Sequence, residues 1–450
     1  MVFRRRLIFW LAKEYIKKWS KTILFFFSAG LVVFFGLWIL ITQYKVSIPH
    51  IKKETIGVVG AYTPTTLPGY ITNDLAKGLT KISSEGKILP NLATDWEIKD
   101  NGKTYIFHLK KGQYLTNKKP FNAYSVQYNF SDAAVQRPKR DTIIFILKDR
   151  YSPFLTTVSR PIFTNGYVGV GSYTLKKLKL NGTFVQSLEL VPLKNADDIK
   201  SYQFYPTTDA LKTAFMLGDI TQARGLSDDN FRKVPFSKFS NVEVKQGVNT
   251  EQLVTLFYNT KDPYLSDRDV RVGLTYGLPD VFPYGKRAYT FYPQTSWAYS
   301  PQFSFTQDLE HAKQLTDSLR AASPSSVLIL SIKTLAKYET TAEIIKREWE
   351  KIGIQSIIEI VDTVPNSFQI FLGEYTLPKD PDQYMLWHSR QEDNITNYEN
   401  KRIDKLLEDG RKTVNVEERK KMYADVQKYL LADSPAAFLY FPYDYTITRK

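Results

Sequence analysis

Between Thr22 and Tyr44 the chain carries 23 consecutive uncharged residues around the run ILFFFSAGLVVFFGLWILI. As a helix this segment is about 34 Å long, enough to cross a hydrocarbon core of roughly 30 Å. Residues 22–44 are therefore expected to form one transmembrane helix. A cleaved signal peptide fits less well, because the apolar part exceeds the usual 7–15 residues and no small-x-small site follows. Residues 1–21 are basic, and FRRRLIFWLAKEYIKKW within them has the look of an amphipathic helix on the cytoplasmic leaflet. Cations precede the span more densely than they follow it, which places the N-terminus inside the cell and the remaining chain outside. Residues 45–55 read as a short tether.

Residues 1–45 hold eight cations against Glu14, leaving +8 of the net +15 in the body. A basic body fits anionic lipid, anionic ligands or simple solubility, and no basic stripe with interleaved aromatics suggests a nucleic-acid partner. With 43% hydrophobic and 24% charged residues the body is globular, and 450 residues allow two lobes. The absence of cysteine removes disulfides, thiolate chemistry and a lipidated cysteine. The four histidines (His50, His108, His311, His388) have no metal-ligand spacing, and no Ser/His/Asp order or phosphate-binding glycine loop appears. The expectation is neither an enzyme nor a cofactor-bearing protein.

Along the body, IGVVGAYTPTTLPGY (56–70) reads as a strand entering a Thr/Pro loop, with a helix expected over 71–82. WEIKD and KTYIFHLKKG flank Asn101-Gly102, a strong hairpin signal, and put Tyr105, Phe107 and Leu109 on one face with His108 outward. A short helix capped by Asn122 and a strand over 140–149 follow. A second hairpin turns at Asn181-Gly182. The helix of 207–220 is expected to bury Ala210, Ala214 and Leu217 and to end at Gly218. VLILSI (327–332), a helix with Ala342, Ile345, Trp349 and Ile352 on one face, and IQSIIEIVD (354–362) form a strand–helix–strand unit of a mostly parallel sheet. The last helix starts at Asn415 and buries Tyr423, Val426 and Leu430. Phe371–Ser389 (FLGEYTLPKDPDQYMLWHS) begins as a strand and becomes a loop rich in rings, prolines and acids, the composition of a ligand-contacting segment.

These blocks, in this order, resemble the extracytoplasmic solute-binding proteins of peptide-type ABC transporters, family 5, which include oligopeptide, dipeptide and nickel binders. The resemblance is carried by LAKGLTKISSEGKILPNLATDWEIKDNGKTYIFHLKKGQYLTNKKPFNAYSVQYNF, by GVGSYTL (169–175), by LFYNTKDPYLSDRDVRVGLTYGL (256–278) and by the block from Lys401 to Tyr445. It implies an α/β, two-lobed periplasmic-binding-protein-like fold of the large peptide-binder class (type II), here preceded by one transmembrane helix. Lobe 1 would comprise 56–258, including a subdomain at 86–165, and lobe 2 would comprise 259–437. Residues 438–450 would return to lobe 1, with crossings near Phe257–Asn259 and Phe438–Tyr443. The final return into lobe 1 looks curtailed in comparison with the family.

The resemblance also implies a site. Aligned with a motif like "GWxADYxxP", Gly373 and Pro381 match, while Leu377 falls where the family's amine-binding acid stands. Glu374 and Asp380 are the nearby acids that could replace it. The implied ligand contacts are Thr63, Thr65 and Thr66 from lobe 1 and Gly373, Tyr375, Thr376, Leu377, Asp380 and Trp387 from lobe 2. Gly373 and Tyr375 would offer backbone groups to an extended ligand. The implied function is binding of peptides or similar small solutes by a membrane-anchored monomer that delivers them to an ABC permease. A ligand sensor or scaffold using the same fold is the alternative.

Overall fold

A computed structural model describes residues 2–43, 52–194, 198–303, 305–321 and 329–450. It separates into two compact units, Met1–Lys52 and Lys53–Lys450.

The first unit is one helix, α1 (Val2–Gln43). At 1.5 Å per residue it is about 63 Å long, twice what a bilayer core requires. Its window apolar enough to span a membrane is Lys13–Gly36. One helix runs through both the expected basic segment and the expected span, with no break near Lys21. The side chains from Thr22 to Gly36 are all exposed, so this apolar surface has no protein core to enter. The side chains of Arg4, Arg5 and Arg6, and residues 44–51 with most of the expected tether, lie outside the described residues.

The second unit begins with β1 (Lys52–Val59), α2 (Gly69–Leu75), β2 (Thr80–Ile82) and β3 (Ile88–Pro90). The helix expected over 71–82 thus stops at Leu75, and Thr80–Ile82 instead pairs with Ile88–Pro90 around Gly86, whose φ of 75° a glycine accepts readily. β4 (Ala93–Lys99), β5 (Thr104–Leu109), β6 (Ala133–Lys139) and β7 (Thr142–Leu147) form a separate four-stranded sheet in the order β4-β5-β7-β6. The Asp100-Asn101-Gly102 turn takes positive φ at all three residues, as the hairpin signal required. Tyr105, Phe107 and Leu109 are buried together with Phe145, Phe154 and Val158. Asn122 caps only a single 3-10 turn, Ala123–Ser125.

After α3 (Phe154–Thr157) the main sheet assembles from β8 (Tyr173–Asn181), β9 (Phe184–Pro192), β10 (Asp198–Tyr205) and β11 (Gln222–Leu226), with α4 (Thr208–Leu217) before β11. α4 buries Leu211, Ala214 and Phe215, while Leu217 is 74% exposed. The inward face is therefore rotated from the expected one, since the bulky Leu211 and Phe215 outweigh Ala210. Gly218 ends the helix at φ 89°. A minor pair, β12 (Asn230–Phe231) and β13 (Val234–Pro235), precedes β14 (Val242–Val248) and β15 (Gln252–Tyr258).

The remaining elements are α5 (Arg268–Tyr276), β16 (Gly285–Arg287), α6 (Leu309–Ala321), β17 (Ile329–Leu335), α7 (Glu339–Lys351), β18 (Gln355–Val361) and β19 (Ile370–Thr376). They are followed by α8 (Tyr384–Trp387), α9 (Lys401–Lys412), α10 (Val416–Asp433) and β20 (Ala436–Arg449). The strand expected from Val327 is described from Ile329. β17, α7 and β18 form the expected parallel unit, and Ala342, Ile345, Trp349 and Ile352 are buried on its helix side. Asn415 caps α10 by accepting from the N–H groups of Glu417 and Glu418.

The twelve-stranded sheet runs β18-β17-β19-β15-β20-β11-β1-β10-β9-β8, with β14 and β16 also on β20. It is mixed, not mostly parallel: β18, β17 and β19 are parallel, whereas β15 is antiparallel to both β19 and β20. Two passages of the chain join its halves, along β20 and between β14 and β15. β20 pairs with β15 and β16 up to Pro442, then with β14 and β11 from Tyr443 to Arg449. The chain changes halves between β14 and β15, at residues 249–251, upstream of the expected Phe257–Asn259. Those later residues already lie inside the second half, because β15 pairs with β19 from Gln252 onward. The final return is carried by β20, which pairs with β14 as far as Arg449 and buries Ile447. Alternation puts Val254, Leu256 and Tyr258 in the core on one face of the second half, and Leu253 and Phe257 in the core on the other.

Candidate functional site

A cavity of about 300 Å³ opens where four segments meet. They are the β2–β3 hairpin at residues 82–86, the crossing residues Thr250 and Glu251, the loop 291–297 after β16, and the segment 377–383 after β19. Its lining mixes rings (Phe291, Tyr292, Trp297) with hydroxyls (Ser83, Ser84, Thr295), which suits a small amphipathic ligand.

Pairing positions each segment. Leu377 donates its N–H to the Glu251 carbonyl at 2.8 Å, extending the β15–β19 ladder by one residue. Buried Tyr292 donates its hydroxyl to the Pro381 carbonyl at 2.7 Å, holding the 291–297 loop to the segment after Leu377. Burial pushes the Tyr292 hydroxyl well above the usual tyrosine range, so it remains a donor. A methyl group on Gly86 would lie 3.4 Å from Trp297, so the hairpin runs close beside the 291–297 loop.

Asp380 does not face this cavity. Its carboxylate receives Arg419 Nη2 at 2.5 Å and Nη1 at 3.3 Å, and Thr156 Oγ1 approaches it at 3.4 Å. Asp380 and Arg419 are 8% and 4% exposed, and Arg419 also donates to the Gly410 carbonyl and the Tyr423 hydroxyl. Burial acts to lower the Arg419 pKa, but the Asp380 carboxylate and Tyr423 outweigh it and raise the pKa, keeping the guanidinium charged. Asp382 meets Arg411 at 2.8 Å. Burial nevertheless raises the Asp382 pKa, with Arg411 opposing. Glu374 bonds to Lys337 and to the Tyr338 hydroxyl. The acids of the 374–382 segment are thus all engaged within the protein.

The other expected contacts divide. Leu377 lines the cavity. Gly373 is buried inside β19, and β15 pairs with β19 throughout Ile370–Thr376 while β17 reaches only Leu372. Tyr375 packs beside Phe257, and Trp387 meets Phe438 edge-on in the same core. Thr376 is exposed at the strand end. Thr63, Thr65 and Thr66 bond to one another through their hydroxyls at 3.0 Å, and none lines the cavity. Three buried polar atoms without a hydrogen-bond partner nevertheless fall in this stretch: Tyr375 Oη, Gln383 Oε1 and Trp387 Nε1. Of these residues only Gln383 lines the cavity.

Sequence reasoning missed the β2–β3 hairpin, Glu251, the 291–297 loop and Gln383. The run PQTSW (293–297), with proline, hydroxyls and a tryptophan together, was the available signal for the third. Among the described residues no group of three or more His, Asp or Glu side chains is placed to hold a metal ion.

The family described as bacterial extracellular solute-binding proteins, family 5, is matched over residues 87–146 and 132–397. The chain belongs to this family. The solute-binding protein is 22% identical over 431 residues to the dipeptide-binding protein of Escherichia coli K12, covering 78% of this chain and 81% of the relative. Among solved structures it resembles NikZ of Campylobacter jejuni in complex with Ni(L-His), with a TM-score of 0.72 and 20% identity over 90% of this chain and 95% of that one. It also resembles DppA of Helicobacter pylori in complex with the peptide STSA, with a TM-score of 0.66 and 18% identity over 88% and 94% of the two chains. The fold is therefore the two-lobed one of periplasmic binding proteins, and its family is one of binders, not enzymes.

Proposed function

We propose that this solute-binding protein is the membrane-tethered, extracytoplasmic component of an ABC importer, taking a peptide or similarly small solute into a cleft between its lobes. The observation that carries the reading is the cavity beside the crossing at 249–251, built from a hairpin before the crossing and two loops after it. A ligand touching segments from both lobes stabilises only the closed arrangement, so binding shifts the population towards closure, the form a permease would recognise. Lobe 1 then comprises 52–248 and lobe 2 comprises 252–442, with β20 returning to lobe 1. The uninterrupted α1 acts as a retained anchor with its N-terminus cytoplasmic, and the protein works as a monomer.

Purified full-length protein in detergent, screened by thermal shift against pools of short peptides and of small polar solutes, tests this. Stabilisation by at least one pool is expected, together with a small molecule released on denaturation and seen by mass spectrometry. No stabilisation by any pool and no co-purifying molecule would refute ligand binding. Uptake lost on deleting the gene and regained only with a lobe-closing variant would favour transport.

A further inference from the structure

We propose that the outer face of the β8–β9–β10 sheet rests on anionic phospholipid headgroups, holding the binding body against the membrane in which α1 is anchored. The proposal depends on the reading of α1 as a retained anchor and adds a second, peripheral contact to it.

Register builds this face. Lys177, Glu189 and Ser201 lie in one cross-strand row, and Lys179, Ser187 and Gln203 lie in the next. Opposed residues of antiparallel strands project from the same side of a sheet. The other side carries Leu178, Leu188, Leu190 and Tyr202 into the core, so the two lysine rows face outward. They border a groove of about 390 Å³ that Lys53, at the start of β1, also lines. The groove lies well apart in the chain from the segments that form the cavity beside the crossing, and none of its lining residues is shared with it.

Charge names the partner. Glu189 is the one acid on the groove's lining, and Lys53 at 3.2 Å and Lys176 at 3.4 Å already hold it. Among the described residues Lys177 and Lys179 meet no carboxylate. Two lysines are thus left over on a polar sheet face, which suits a surface of anionic headgroups. The hairpin tip adds an apolar element, since Leu180 and Phe184 beside the Asn181-Gly182 turn are 46% and 48% exposed. Apolar side chains flanked by lysine are the composition of segments that settle at a membrane–water interface.

The covalent link supplies an independent argument. Lys53 follows Tyr44, the last residue of the uncharged run, by nine positions. At no more than about 3.6 Å per residue, that link cannot exceed about 33 Å whatever its conformation. A lysine of the groove is therefore held permanently near the lipid that α1 occupies, which favours the membrane over a soluble anion.

The test reconstitutes the full chain into nanodiscs of phosphatidylcholine, alone or mixed with phosphatidylglycerol. The chain has no cysteine, so Gln186→Cys takes a single polarity-sensitive fluorophore on this face. Val281→Cys, at a position 76% exposed in the other half of the sheet, carries the same label as a control. The label at position 186 should shift to the blue and be quenched by headgroup-labelled lipid in the anionic discs only, and the label at 281 in neither. Each lysine close to an anionic surface contributes about fivefold to binding, so Lys177→Gln with Lys179→Gln should lower the ratio of docked to free body about 25-fold. The unfolding temperature should not change, and high salt should act in the same direction as the variant.

A label at 186 that behaves alike in both discs, or is matched by the label at 281, would overturn the proposal. So would docking that survives the double variant. Release by inorganic phosphate at constant ionic strength would overturn it too, assigning the groove to a free anion. Retention on neutral discs reports the anchor separately. A retained chain with a solvent-exposed label refutes docking alone, whereas a chain held only by anionic discs refutes the anchor and supports docking. A chain held by neither disc refutes both.

Discussion

The Asp380–Arg419 pair gives the sharpest test of whether Asp380 serves the ligand or the protein. Asp380→Ala leaves Arg419 buried with only the Gly410 carbonyl and the Tyr423 hydroxyl as acceptors. Removing one member of a buried ion pair costs about 3–5 kcal/mol, because the remaining charge stays desolvated. For a body of nearly 400 residues, unfolding as a unit at about 2.1 cal/mol/K per residue gives an entropy near 0.8 kcal/mol/K. The expected drop in Tm is therefore about 4–6 °C by scanning calorimetry or dye-based thermal shift. Arg419→Met should cost a similar amount, and the double variant Asp380→Ala with Arg419→Met should cost less than the sum, since no orphan charge remains. Ligand affinity measured well below the lowered Tm should change little. A Tm within about 1 °C of wild type combined with lost ligand binding would refute the reasoning and return Asp380 to the ligand.

Four further outcomes follow from the same geometry. Trp349→Ala should destabilise by about 3–5 kcal/mol in denaturant titration, because a fully buried indole is lost together with its 2.9 Å bond to the Leu274 carbonyl. Gly78→Ala should be far more damaging than Gly69→Ala, since the added methyl would lie 2.4 Å from the Ser159 backbone in the first case and meets nothing within 4 Å in the second; paired thermal melts decide this. The Asp382 pKa is raised in the folded state, so its contribution to stability is complete below its unfolded pKa and is lost as pH rises through the folded value. The Tm difference between Asp382→Asn and wild type should consequently move in favour of the variant from about pH 4 to about pH 7. Finally, a chain starting at Lys52 should be recovered in the soluble fraction and melt within about 2 °C of the full-length protein, because α1 forms a separate compact unit.

Much of this architecture was legible because local patterns carried it. The Asn101-Gly102 and Asn181-Gly182 turns, the 3–4–3 spacing of Ala342, Ile345, Trp349 and Ile352, and the Asn415 cap each depend on a few neighbouring residues whose backbone preferences agree with the fold. Arg271 donates to the carbonyls of Leu265, Ser266, Asp433 and Ser434, tying α5 to the α10–β20 junction. Errors arose where two distant segments compete for one residue. Thr80–Ile82 continues a helical pattern but is drawn into a hairpin with Ile88–Pro90. Asp380 reads as a free loop acid until Arg419, 39 residues later, reaches it.

By itself the sequence determined that an apolar helix precedes an α/β body without cysteine, a property of composition and spacing that needs no knowledge of what lies opposite. That an acid would be expected at Leu377 is what the family resemblance implied. Only the tertiary structure decided which charges remain available. It consumed Asp380, Asp382 and Glu374 in internal pairs and set Glu251 across the ladder from Leu377. Cross-strand register is fixed by the pairing of whole strands 126 positions apart, and no local pattern in either strand contains it.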